Sequence, residues 1–447
     1  MWRAELPQAV DLLALHRQHP RLFPFLLQSV ARHPHSGRWD ILFAFPEAEL
    51  SLADGVLRST QPGLAEAPDF FAALDQWCAR ETPAARDQLP FCGGWFFYLG
   101  YETAQQVEPT LCLPRAPFNL PDALAVRCPA AIVYDRERQC CHAIAERDAA
   151  QLDRLLSLAR DVAANDVVSV SCDEIVEEAA PRYLAGVERI LDYLHAGDVF
   201  QVNLSRRWRA RLDARCDAVD LYAQLQTRNP APFAGLMRWG DAAVISSSPE
   251  RLLQIDGRIA QTRPIAGTRR RGHDAGEDER LRSVLREDLK ERAEHVMLLD
   301  LERNDLGRVC KPGSIAVDEL MTLESYAHVH HIVSNVRGEL RDGIGPGAAL
   351  RAVFPGGTIT GCPKVRVMQI IAELEGEGRG PYTGAFGYLS RDGRLDSNIL
   401  IRSMVWQAGE VSFRAGAGIV ADSQPQAELL ETRAKARGLL LALNAES

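Results

Sequence analysis

Ala242-Ala-Val-Ile-Ser-Ser-Ser248-Pro-Glu-Arg251-Leu-Leu-Gln-Ile255-Asp256-Gly257 is the stretch whose reading decides the fold. Two strand-length segments, Ala242–Ser248 and Arg251–Ile255, follow one another, and the second runs into Asp256-Gly257. Asp-Gly readily adopts the positive φ angles of a two-residue hairpin turn, so the next strand is expected to return antiparallel. The same turn signal stands at Asp392-Gly393, and further alternating segments occupy Gln201–Ala210, Thr383–Leu389 and Glu410–Ala417. Long helical patterns cover Glu277–Leu301, Lys364–Glu375 and Gln424–Leu443. Strands joined by short turns, with helices set apart from them, predict an α+β protein of large, mainly antiparallel sheets with helices packed outside.

Upstream the pattern is looser. Trp39–Phe45, Phe91–Leu99 and Ala130–Tyr134 read as strands, with a helix at Asp69–Arg80 and another near Ala149–Ala164. The polar, acidic segment Ser171–Ala180 is the best linker, and Pro181 is well placed in the first turn of a new helix. This divides the chain into an N-terminal region, 1–170, and a second region, 181–443, closely packed on it. At 447 residues there is ample chain for a large core, and 46 % hydrophobic with 25 % charged residues is ordinary for a globular protein. A net charge of −9 leaves no basic footprint for nucleic acid. No apolar run reaches membrane-spanning length and the first residues do not resemble a signal peptide, so a cytoplasmic protein with reduced cysteines is expected; the ten cysteines form no CxxC.

Chemistry concentrates in the C-terminal half. Glu291 and Glu294 are three residues apart in one helical pattern, and Glu428 and Glu431 repeat that spacing in another, so each pair shares a helix face. If the two faces meet, four carboxylates converge and need a cation between them; oxygen-only ligands with room for water suit Mg²⁺. Pro355-Gly-Gly-Thr358-Ile-Thr360-Gly361-Cys-Pro-Lys364 precedes a helix, where glycines, hydroxyls and a lysine can hold a carboxylate. Its spacing differs from that of a phosphate loop. Arg402 ends an apolar strand-like run from Ile399 and can clamp a carboxylate through two nitrogens. Ala415-Gly416-Ala417-Gly418 reads as a small-residue bend leading to the second acidic helix. In Tyr326-Ala-His-Val-His-His331, alternation turns His328 and His330 to one face and His331 to the other, where it is a candidate acid or base. Ser247–Arg251 and Thr262–Thr268 each end an apparent strand.

Taken together and in order, Ser248-Pro-Glu250, Thr262–Thr268, Glu291–Arg308, Phe354–Arg366, Gly387–Ser390 and Ala415–Thr432 resemble the chorismate-utilising enzymes. This family includes anthranilate, aminodeoxychorismate, isochorismate and salicylate synthases. The resemblance spans roughly 183–440 and implies a sandwich of two large antiparallel sheets flanked by helices. It implies Mg²⁺ on Glu294 and Glu428, with Glu291 and Glu431 beside them or acting through water. Arg402, Tyr388 and the amides of Gly416, Ala417 and Gly418 would hold the pyruvyl carboxylate. His331 and Thr358 would lie near the ring, and Glu250 would be the acid near the leaving hydroxyl. Lys364, Thr360 and Gly361 belong to the glycine-rich motif, and Ala266, Gly267 and Thr268 to a second substrate-binding block.

Gln201 separates the branches. The water-using members that this chain resembles carry a lysine base there; ammonia needs none, so glutamine implies an ammonia-using enzyme. Phe25-Leu-Leu27-Gln-Ser29, His33–Asp40 and Asn229-Pro-Ala-Pro-Phe233 are similar to aminodeoxychorismate synthase component I. Amination at C4, to 4-amino-4-deoxychorismate for 4-aminobenzoate and folate, is therefore expected. Ala266 stands where the best-known enzymes of that branch carry lysine; this matches anthranilate synthases, which aminate C2 and eliminate pyruvate. No glutaminase nucleophile motif is present, so ammonia is expected from a separate glutamine amidotransferase subunit. Leu27 and Ser29 align with the family's tryptophan pocket, but Gln28 departs from its usual Leu-Leu-Glu-Ser string, which speaks against regulation by tryptophan.

Overall fold

The computed structural model describes residues 1–6, 9–31, 37–163, 167–325 and 329–444, so His33–Ser36 and His328 lie outside the described residues. Two antiparallel sheets, of 12 and 11 strands among the described residues, face each other. Across the first sheet the described strands run Trp2–Leu6, Cys140–Ala145, Ala130–Asp135, Trp39–Ala44, Phe25–Gln28, Phe233–Trp239, Ala242–Ser248, Ser403–Gln407, Glu410–Ile419, Gln201–Arg211 and Val176–Glu177, and the short Gly361–Cys362 also pairs with Gln201–Arg211. Across the second they run Ile265–Arg270, Val329–Glu339, Ile259–Arg263, Arg251–Asp256, Leu395–Asn398, Ala385–Ser390, Gly94–Leu99, Ala123–Cys128, Ala48–Ala53 and Val56–Ser59, and Ala316–Ser325 also pairs with Val329–Glu339. Both sheets thus mix strands from before residue 170 with strands from beyond 200. The Asp256-Gly257 and Asp392-Gly393 turns join antiparallel neighbours, and Gly257 and Gly393 take the left-handed φ that such turns need.

Alternation along the strands builds the layers. Phe25, Phe43, Met237 and Val244 from the first sheet meet Phe96, Val126 and Phe386 from the second, and the Phe25 and Phe96 rings stack with centroids 4.1 Å apart. On the outer face of the first sheet, helices Ala149–Arg160, Ala218–Arg228 and Pro425–Ala442 bury Leu155, Leu225 and Leu439 against Leu236, Ile245 and Phe413. Helices Phe70–Arg80 and Pro346–Val353 cover the second sheet around Trp95 and Phe97. No helix among the described residues is long and apolar enough to cross a membrane.

Several local expectations change. The predicted helix Glu277–Leu301 is two helices, Ala275–Glu287 and Leu289–Gly307, broken at Asp288, whose ψ of 108° is extended. Asp288 Oδ1 accepts from the Glu291 amide at 3.2 Å and so caps the second helix; a cap residue must leave helical geometry to do this. The helix begun at Ala149 ends at Arg160. The expected linker is pinned to the first sheet, with Val176 paired to Arg209 and Cys172 bridged to Leu212. Ala415–Gly418 is no bend: it lies inside the Glu410–Ile419 strand. Arg402 is not in a strand but in the connection before Ser403–Gln407, with φ +51°.

Candidate active site

Strands Gln201–Arg211 and Glu410–Ile419 of the first sheet and Ile265–Arg270 and Val329–Glu339 of the second contribute to one cavity of 970 Å³ and an adjoining pocket of 130 Å³. Helices Leu289–Gly307 and Pro425–Ala442 also line the larger cavity. Asn203, Thr358 and Arg402 line both spaces and so join them.

The antiparallel register pairs Asn203 with Gly418 and Ser205 with Gly416. A Cβ at Gly418 would collide with Gln201 Nε2, and one at Gly416 would come within 2.6 Å of Asn203 Oδ1. The two glycines therefore make room for the amide side chains that line the cavity. Ala417 alternates to the other face and joins the apolar core, so it is not a lining residue as expected. Gln201 Oε1 and Asn203 Oδ1 are buried acceptors without a hydrogen-bond partner among the described residues.

The smaller pocket holds Glu250 and His331, the two side chains expected to do acid–base work. Glu250 is 3 % exposed; its Oε1 accepts from Thr358 Oγ1 at 2.8 Å and from the Ile265 amide at 3.4 Å. Burial pushes its carboxyl up to about 7, against the hydrogen bond from Thr358, with the charge of Glu302 adding to the rise. Burial drives His331 the other way, to about 3, and the Arg402 guanidinium adds to that shift. The ring is thus neutral near pH 7, and it donates to the Gly267 carbonyl. His330 lies on the opposite face, hydrogen-bonded to Ser325 and Asp278.

Ala266 and Gly267 line the larger cavity at a bulge in the pairing with Val329–Glu339. Gly267 has φ +69°, and a Cβ there would be 3.1 Å from Glu291 Oε2, so glycine lets the acidic helix approach. The Thr268 side chain lies outside the described residues. Glu291, Glu294, Glu428 and Glu431 all line this cavity. Glu428 is 8 % exposed and accepts from Ser423 Oγ at 2.6 Å. Glu291 pairs with Arg269 at 2.9 Å and Glu431 with Lys435 at 2.7 Å. Among the described residues no three His, Cys, Asp or Glu side chains gather closely enough to cage a metal. The donor set itself, oxygen atoms from two helices facing one roomy cavity, suits Mg²⁺.

Four other expected site residues sit elsewhere. Lys364 is not at either cavity wall: its Nζ pairs with Asp305 Oδ2 at 2.6 Å, beneath the glycine-rich segment. Thr360 turns back to donate to the Gly356 carbonyl at 2.9 Å. Gly361 pairs with Val202, and a Cβ there would strike the Gln201 carbonyl; it shapes the backbone instead of meeting a ligand. Tyr388 lines a separate cavity of 510 Å³ together with Leu27 and Ser29. The Ser29 hydroxyl donates to the Trp39 carbonyl at 3.1 Å. The Gln28 amide donates to Asp40 and accepts from Tyr222 and Gln226.

Tyr382, and not Tyr388, is the tyrosine at the smaller pocket. It lines the smaller pocket, and the Gly416 amide reaches its hydroxyl. Asn203 and Lys435 were also missed, although simple periodicity marks both: Asn203 is two residues beyond Gln201 on a strand, and Lys435 four beyond Glu431 on a helix.

The family described as "chorismate binding enzyme" matches residues 25–441. Anthranilate synthase component 1 of Thermus thermophilus is 40 % identical over 427 residues, covering 94 % of this chain and 92 % of that one. Aminodeoxychorismate synthase component 1 of Bacillus subtilis is 38 % identical over 451 residues, covering 98 % and 94 %. The crystal structure of anthranilate synthase component I from Streptococcus pneumoniae superposes with a TM-score of 0.80 at 32 % identity, covering 91 % of this chain and 93 % of that one.

Proposed function

The chain belongs to the chorismate-binding enzymes, and on that premise we propose that it aminates chorismate at C4 with ammonia, giving 4-amino-4-deoxychorismate as component I of an aminodeoxychorismate synthase. The observation that carries amination is the pair of buried acceptors Gln201 Oε1 and Asn203 Oδ1 on the cavity wall. Ammonia supplies N–H donors for both, and leaving them unpaired is costly. A glutamine amide is no base at neutral pH, so this wall is not built to activate water.

Arg402, with Tyr382 beside it, takes the pyruvyl carboxylate. Protonated Glu250 gives its proton to the C4 hydroxyl, which leaves as water. The nitrogen of ammonia forms the new C–N bond, and the proton it sheds returns to the Glu250 carboxylate. Thr358 and the Ile265 amide steady that carboxylate while it is charged. Glu294 and Glu428, with Glu291 and Glu431 beside them, would hold Mg²⁺, which as a Lewis acid eases departure of the hydroxyl. A separate glutamine amidotransferase subunit supplies the ammonia, in the cytoplasm.

Amination at C4 is supported by the likeness at Phe25–Ser29 and Asn229–Phe233, and by a Gln28 amide already engaged with Asp40, Tyr222 and Gln226 instead of offering a charge to tryptophan. One observation favours a second reading, amination at C2 with loss of pyruvate: Ala266 presents only a methyl group on the cavity wall, so no lysine blocks C2. Product analysis separates the two. Purified protein with chorismate, Mg²⁺ and ammonium is expected to give 4-aminobenzoate only when an aminodeoxychorismate lyase is added. Lyase-independent anthranilate with released pyruvate overturns the C4 assignment.

A further inference from the structure

Glu291 and Glu431, two of the cavity carboxylates, have cations against them. Arg269 Nη1 lies 2.9 Å from Glu291 Oε1 while its Nη2 lies 2.8 Å from Asp288, which caps the same helix. Lys435 Nζ lies 2.7 Å from Glu431 Oε1, one turn along the second acidic helix. Both cations line the cavity itself. Arg269, on a strand of the second sheet, pairs with the first glutamate of one acidic helix, and Lys435, on the other helix itself, pairs with that helix's second; Glu294 and Glu428 line the same cavity.

We propose that Arg269 and Lys435 are internal counter-cations that stand in for the metal before substrate arrives, and that they are exchanged for it when an anionic substrate binds. The inference rests on the metal reading given above. Four carboxylates around one space repel each other, and a positive side chain beside two of them lowers that repulsion without a metal. The pairs are also weak enough to exchange. Side chains of Arg269 and Glu291 are 33 % and 20 % exposed, and those of Lys435 and Glu431 are 42 % and 48 % exposed, a setting in which water screens ion pairs strongly. The substrate carboxylate held by Arg402 lies in the smaller pocket that Lys435 also lines, and the second carboxylate offers Arg269 a new partner in the larger cavity. Glu291 and Glu431 are then released to the metal, so metal and substrate bind better together than either does alone. The arrangement also keeps a bare, highly charged metal site from forming in the resting protein.

The test is Mn²⁺ affinity, read by electron paramagnetic resonance on the full chain without ammonia. Arg269→Gln and Lys435→Met, made singly, are each expected to bind Mn²⁺ about two- to fivefold more tightly than the parent when chorismate is absent. Lys435→Arg, which keeps the charge, is expected to restore the parent affinity. Chorismate is expected to strengthen Mn²⁺ binding in the parent and to do so less in the two neutral variants. Unchanged or weaker Mn²⁺ binding in both neutral variants overturns the counter-cation role. Glu428→Gln tells the two failures apart: if it loses Mn²⁺ while the neutral variants match the parent, only this role falls. If Glu428→Gln binds Mn²⁺ as the parent does, the metal reading falls and takes the inference with it.

Discussion

Glu250 and His331 share one pocket, and burial moves their proton affinities in opposite directions, to about 7 and about 3. The carboxyl is therefore the group that still holds a proton near neutral pH, and the imidazole serves as a neutral donor. Turnover at a fixed concentration of free ammonia is expected to fall as pH rises through about 7, because the acid form of Glu250 is lost. Glu250→Gln is expected to cut kcat by about 10²- to 10⁴-fold and to erase that alkaline limb. A pH–rate series on both proteins checks it, and an unchanged limb in the variant assigns the titration to another group. Gln201 invites the converse experiment. Gln201→Lys places a base on the wall above Gly418, and it is expected to let the protein consume chorismate without ammonia, forming a hydroxylated product visible by chromatography. Strict dependence on ammonium in that variant would remove Gln201 as the residue that selects the nucleophile.

At the level of elements, Asp288 links two roles: it ends one helix, starts the next and holds Arg269. Asp288→Ala is expected to cost about 1 kcal/mol through the lost cap, seen as a lower midpoint in urea unfolding. Gly418→Ala forces Gln201 from its place and is expected to lower kcat/KM for ammonia more than that for chorismate. Much of this layer was legible beforehand. Strand segments betray themselves by length and turn chemistry, and i, i+3 spacing led directly to the carboxylates on the cavity wall. Other features depended on facts that no local pattern carries. Whether Tyr382 or Tyr388 meets the site depends on which side of a strand and which connection each occupies after two distant strands pair. Lys364 looked like a ligand because its partner, Asp305, lies 59 residues away in sequence. The break at Asp288 was hidden because the residues on both sides favour helix, and only the cap distinguishes one helix from two. The bend read into Ala415–Gly418 misjudged glycines whose purpose is to clear space for neighbours on the adjoining strand.

For the molecule as a whole, buried titratable groups set the pH range of stability. Burial raises Glu102, Glu250 and Glu302 to about 7, so each favours folding below its usual carboxylate range and loses that contribution as pH climbs through 7. His16 and His295, lowered to about 4, and His331, lowered to about 3, do the reverse, and their contribution is lost as pH falls from about 6.5 through those values. Between about 4.5 and 6.5 the two sets oppose each other. Melting temperature is expected to be flat across that interval and to drop on either side, which differential scanning calorimetry in a series of buffers measures. A steady rise from pH 6 to pH 8 contradicts it. The interleaving of the sheets reaches further, into how the chain is made. Phe25–Gln28 pairs early with Trp39–Ala44 but must wait for Phe233–Trp239 on its other side, and Ala242–Ser248 pairs early with Phe233–Trp239 but must wait for Ser403–Gln407. A chain emerging from the ribosome therefore carries open strand edges for most of its synthesis, and the first sheet closes only when the last strands are out. Open edges of this kind are templates for pairing with other chains, so a chain stopped before residue 419, which leaves Gln201–Arg211 without its Glu410–Ile419 partner, is expected to aggregate instead of folding into a smaller working unit.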